Sequence, residues 1–127
     1  MNIEKVVFAF FIVLAATLNL GFVYGDIDEP AHHEVYELFA AVVVNLIVTV
    51  LKFGDRTHIG AVHLATSLVA VLQLVAASLV WAYAISAGAQ GLQPGTIAGI
   101  VSLSVGALLA NAVSITLLVS ETIQLRR

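Results

Sequence analysis

Apolar positions fill four long runs of the chain, and the polar residues fall between those runs or on one side of each. The runs cover about 4–24, 31–52, 61–84 and 96–124, and each approaches or exceeds the roughly 20 residues a helix needs to cross about 30 Å of hydrocarbon. The pattern predicts an all-α polytopic membrane protein, an antiparallel four-helix transmembrane bundle that occupies residues 1–127 as one domain. In the second run Glu37, Ala41, Asn45 and Thr49 recur every four residues, with Glu34 near the same face. Hydrocarbon cannot satisfy such a stripe, so it is expected to look inward. The third run divides into a side with His63, Thr66, Ser67, Ala70, Gln73 and Ala77 and a side with Leu64, Leu68, Leu72, Val75 and Leu79. Trp81 and Tyr83 near its end read as interfacial anchors. In the fourth run Gly99, Ser102, Gly106, Ala110 and Ser114 make a ladder of small residues that lets another backbone come close.

Amides inside the spans are the residues hardest to place in lipid. At 1.5 Å per residue, Asn19 falls roughly 8 Å below the outer surface, Asn45 roughly 16 Å, Gln73 roughly 14 Å and Asn111 roughly 22 Å. Asn45 and Gln73 then share a level on consecutive helices and are expected to face each other, as interhelical glue or as the lining of a polar path.

Composition supports this reading. The chain has 127 residues, of which 61% are hydrophobic and 10% charged, against roughly 25% charged in soluble domains. It contains no cysteine, which excludes disulfides, thiol redox chemistry and thiolate metal sites. A net charge of −3 gives no reason to expect a nucleic-acid partner. The first run is longer than a signal-peptide core and lacks a small-residue cleavage site after it, so it is expected to stay as a span. All the Lys and Arg, namely Lys5, Lys52, Arg56, Arg126 and Arg127, fall on one side of a four-span model. By the positive-inside rule both termini are then cytoplasmic.

The other side holds an acidic turn with Asp26, Asp28, Glu29, His32 and His33 ahead of Glu34 and Glu37. His33 and Glu37 could touch one ion, but a pair falls short of the three or four ligands a bound metal takes, so no metal site is expected. The turn could instead gather cations at a mouth. His63 is expected to bond near Asp55 or Glu121 at the cytoplasmic end, and Glu121 to face Arg126 or Lys52. The run VLKFGD has the outline of a potassium-channel filter, but Lys52 would stand where the filter needs glycine. No nucleophile–base–acid set and no phosphate-binding glycine loop is present. The expected protein is therefore not an enzyme and takes no cofactor. It is a non-enzymatic oligomeric or accessory subunit of a membrane transport assembly, partnered by lipid, by itself or by a larger membrane protein. The alternative is a small cation channel or transporter with an acidic mouth.

The segments FFIVLAATLNLGFVYGDID, VYELFAA, LKFGDRTHIGAVHLATSLVA and VSLSVGALLANAVSITLLV together resemble a family of proteobacterial integral membrane proteins of about this length, classed as a domain of unknown function. The resemblance covers nearly the whole chain. It implies a bacterial inner-membrane location and supplies no activity or site residues.

Overall fold

A computed structural model describes residues 3–86 and 91–125; Arg126 and Arg127, counted above toward orientation, lie outside them. Among the described residues there are four long helices: α1 (Ile3–Val23), α2 (Val35–Lys52), α3 (His58–Ser86) and α4 (Pro94–Leu125), with a 3₁₀ turn at Pro30–His32. Each carries a stretch long and apolar enough to cross a membrane. α3 packs on α4 and α2, and α1 packs on α2 and α4.

One spacing rule decides which side of each helix is buried. The buried positions are Phe8, Ile12, Ala15, Asn19 and Phe22 on α1, then Leu38, Ala41, Val44, Asn45 and Val48 on α2. On α3 they are Gly60, His63, Ser67, Ala70, Leu74, Ala77, Trp81 and Ala84. Steps of three and four alternate, the seam of helices that coil gently around one another. Large apolar side chains off the seam, such as Phe10, Leu72, Leu79 and Leu109, stay more than half exposed, as lipid-facing residues should.

The small-residue ladder of the fourth run is corrected by the same rule. A strict four-residue step advances about 40° around a helix each time, so the ladder cannot hold one face. Gly99 and Ser102 are exposed, whereas Ala110 and Ser114 are buried. The seam of α4 runs instead through Ile97, Ile100, Val101, Ser104, Ala107, Asn111 and Ser114. Trp81 is corrected likewise: it is buried against Phe22, ring centroids 6.1 Å apart, and only Tyr83 is exposed.

The helix ends follow from local chemistry. α2 starts at Val35 rather than near Ala31, because His33 and Glu34 are extended and Glu34 caps the helix by accepting from the Tyr36 N–H at 3.4 Å. Gly25, at φ +107°, turns the chain out of α1 in a conformation that L side chains resist. α3 starts at His58, earlier than the apolar pattern implied. Thr57 supplies the reason: its Oγ1 accepts from the Gly60 N–H at 3.0 Å. Asp55 in turn accepts from the Thr57 hydroxyl at 2.7 Å and the Thr57 N–H at 2.9 Å. Those two bonds, the hydroxyl first, hold the Asp55 carboxyl below its ordinary value against the opposing effect of burial, with Lys52 a lesser contributor in the same direction as the bonds.

Candidate functional site

The polar groups inside the bundle form three separate clusters. The middle one joins three helices through asparagine amides. Asn111 Nδ2 donates to Asn45 Oδ1 at 2.8 Å, and Asn45 Nδ2 donates to the Ala41 carbonyl at 2.8 Å. Asn19 Nδ2 donates to Asn111 Oδ1 at 3.4 Å. With its amide turned end for end, Asn19 would instead donate to the Ser104 carbonyl and accept from the Leu108 N–H, both at 3.2 Å. Thr49 continues the α2 stripe by donating from Oγ1 to the Asn45 carbonyl at 2.9 Å. All three asparagines are at most 1% exposed.

The expected Asn45–Gln73 pairing is therefore corrected to Asn45–Asn111. Depths counted from a common surface fail because the helices do not begin at a common level. Asn111 lies about 25 Å along α4, whereas Asn45 lies about 15 Å along α2, yet the two amides touch. Gln73 sits nearer the start of α4, packed against Gly106, where a Cβ would collide with its amide. Its Oε1 is buried, and the side chain has no hydrogen-bond partner among the described residues. It lies in a groove between α3 and α4 lined by Thr66, Val69, Leu109 and Val113. Gly106 thus serves the interior of the chain, making room for Gln73.

A second cluster closes the end that carries the start of α1 and the α2–α3 turn. His63 Nδ1 and Ser114 Oγ are 2.5 Å apart, which replaces the expected Asp55 or Glu121 as its partner. Its ring meets the Phe8 ring edge-on, centroids 4.8 Å apart, and Nε2 has no partner among the described residues. Lys52 Nζ stands 4.2 Å over the other side of this network, above the Phe8 ring, and 3.6 Å from Asp55 Oδ2. Glu121 pairs with Lys5 at 2.6 Å, not with Lys52, because the end of α4 lies beside the start of α1.

The third cluster is the acidic turn. Its buried member is His33, 3% exposed, whose Nδ1 lies 2.6 Å from the Phe22 carbonyl and whose Nε2 lies 2.8 Å from the Asp26 carbonyl. Carbonyls only accept, so both ring nitrogens face groups that call for a donor. His32 Nδ1 accepts from the Asp26 N–H at 2.9 Å, and Glu29 accepts from the Ala31 N–H at 3.2 Å. Asp28 is exposed. His33 and Glu37 do not converge on one point: the Glu37 carboxylate packs over Gly21 of α1. Among the described residues no group of three or more His, Asp or Glu could hold a metal ion.

Comparison with known proteins places the chain. A family model described as "Family of unknown function (DUF6394)" matches residues 32–122. The chain belongs to this family. The match takes in α2, α3 and most of α4, and so both the Asn45–Asn111 bond and the His63–Ser114 contact. No curated protein and no solved structure matches the chain.

Reading the sequence missed Ser104, Thr57 and the Phe8–Lys52 stack. Stepping outward from Asn111 in alternating threes and fours would have found Ser104, and an Asp two residues before a Thr is a recognisable start signal for α3.

Proposed function

We propose that this member of the family is a non-enzymatic, multi-span subunit of the bacterial inner membrane that acts by lateral association, with itself or with a larger transport protein. The observation that carries the reading is Gln73, a mid-span amide without a hydrogen-bond partner among the described residues, at the edge of a groove whose one other polar side chain, Thr66, spends its hydroxyl proton on the His63 carbonyl. An amide in hydrocarbon costs several kcal/mol per unsatisfied group, and a partner helix that brings a polar group to the α3–α4 groove would remove that cost once the Gln73 amide swings off Gly106 into the groove. Gly95, Gly99 and Ser102 leave the nearby surface of α4 free of bulk. An antiparallel arrangement is supported by the Lys5–Glu121 pair and the short α2–α3 turn. Lys5, Lys52 and Arg56 at one end support cytoplasmic termini.

Cation conduction through the bundle draws no support from the stripe meant to line it. Asn19, Asn45 and Asn111 spend their polar groups on one another and on the Ala41 carbonyl. A cysteine placed at Leu109, in the same groove and with Gln73 left intact, would be the first in this cysteine-free chain and can be cross-linked in native membranes. Cross-linked species, lost when Gly99 and Ser102 are both replaced by Ile, are expected. A purely monomeric product, together with cation flux in proteoliposomes that Asn45→Leu abolishes, would reverse the choice.

A further inference from the structure

At the basic end, α1 and α2 part around a cleft of about 630 Å³, within the range of small-molecule sites. Its walls include Val7, Phe8 and Leu51, and its charged groups are Glu4, Lys52 and Asp55. The first turn of α1 and the last turn of α2 meet here, at the level where a spanning helix passes from hydrocarbon into headgroups.

Lys52 is the informative residue. Its side chain is 16% exposed, and its ammonium has three donors. Its partners among the described residues are the Phe8 ring at 4.2 Å and Asp55, an ion pair whose 3.6 Å to Oδ2 is longer than a hydrogen bond and leaves the N–H donors without a close acceptor. A largely covered ammonium is stable only with acceptors close to it. Asp55 cannot simply swing closer, because Oδ1 is held by the Thr57 hydroxyl and N–H and the carboxyl packs against Gly60. The cleft thus offers an anion a fixed cation, beside a carboxylate whose Oδ2 faces the same space, between apolar walls.

We propose that this cleft binds a phospholipid whose headgroup carries a primary ammonium, with the phosphodiester on Lys52 and the ammonium on Asp55. The phosphodiester oxygens supply the acceptors that Asp55 does not reach, as charge-assisted bonds. The headgroup ammonium then answers the carboxylates of the cleft, and the glycerol and upper acyl segments lie along Val7 and Leu51. A quaternary ammonium has no N–H to give Asp55, and a headgroup with net negative charge meets repulsion from the Asp55 carboxylate. A free phosphate compound shares the chemistry on Lys52 but leaves the apolar walls without an occupant.

The full-length protein in detergent is titrated with phosphatidylethanolamine, phosphatidylcholine and phosphatidylglycerol of identical acyl chains, and lipid retention is read by native mass spectrometry. Phosphatidylethanolamine should be held on the order of tenfold more tightly than either of the others, a difference of about 1.4 kcal/mol. Lys52→Met should weaken retention of all three lipids, with Lys52→Arg restoring part of it, and Asp55→Asn should remove the ethanolamine advantage. Val7→Trp keeps every charge and fills the apolar wall, so it should weaken retention of all three lipids, and it carries the test if Lys52→Met does not fold. Equal retention of the ethanolamine and choline lipids, or retention unchanged in Val7→Trp, overturns the proposal. So does displacement of the lipid by water-soluble phosphoethanolamine at equal concentration, which would assign the cleft to a soluble phosphate compound.

Discussion

Replacing Asn111 with Leu tests how the middle of the bundle is held. Asn111 is the central amide: it donates to Asn45 at 2.8 Å and, with the Asn19 amide not turned end for end, accepts from Asn19 at 3.4 Å. Measured interhelical bonds of this kind in membranes average about 0.6 kcal/mol and reach about 1.7 kcal/mol. The 2.8 Å Asn45 bond belongs near the upper value and the 3.4 Å Asn19 bond near or below the lower one. Losing both gives about 2 kcal/mol for Asn111→Leu, and the stranded Asn45 oxygen adds about 1 kcal/mol as an unpaired buried acceptor. Asn45→Leu strands the Asn111 amide nitrogen in the same way. The double replacement leaves neither half stranded, so it should cost clearly less than the two single changes together. Unfolding of the four species by denaturing detergent, or by steric trapping in bicelles, gives the coupling directly, with about 1–1.7 kcal/mol expected between residues 45 and 111. A coupling below about 0.3 kcal/mol, the level at which independent sites add, would mean that the amides are lodged in the interior without holding it together.

Phe22 is fully buried between His33 and Trp81, and Phe22→Ala should cost about 3–5 kcal/mol in the same unfolding assay. His33→Ala strands the Phe22 and Asp26 carbonyls and should cost at least about 2 kcal/mol, with faster amide exchange across residues 24–34 as its local signature. Lys5→Met should change stability by less than about 1 kcal/mol, since the Lys5–Glu121 pair is partly exposed; a larger loss would mean that this pair clamps α1 to α4. Because the folded Asp55 carboxyl is held below its ordinary value by the Thr57 bonds, its contribution is complete above the unfolded value and is lost as pH falls through the folded one. Asp55→Asn should therefore flatten the acid limb of stability below about pH 4, and a limb of unchanged steepness would show that other carboxyls set it.

Much of the architecture can be read from the chain because lipid imposes a simple demand: apolar length makes the spans, and polarity inside them turns toward protein. Leu68, Leu72 and Leu79 facing outward, with His63, Ser67 and Ala70 facing inward, follow from that alone. Which amide meets which did not follow. Asn45 and Gln73 looked level only while the helices were given one starting plane, and the true partner, Asn111, belongs to a helix that starts about 10 Å farther out. The ladder on α4 failed for a different reason, since a four-residue step drifts around the axis while the seam corrects itself with threes. The contacts of Phe8, Lys52 and His63 at the basic end join three helices, and no local pattern encodes such a meeting.

The unequal lengths of the helices reach beyond this bookkeeping of levels. α3 and α4 are about 43 and 48 Å long, against about 32 and 27 Å for α1 and α2. A bilayer wrapped around this body meets a tall flank on one side and a short flank on the other, so it must thin, thicken or tilt the protein to fit both. In general, mismatch of this kind sorts proteins among membranes of different thickness and drives some helix–helix association.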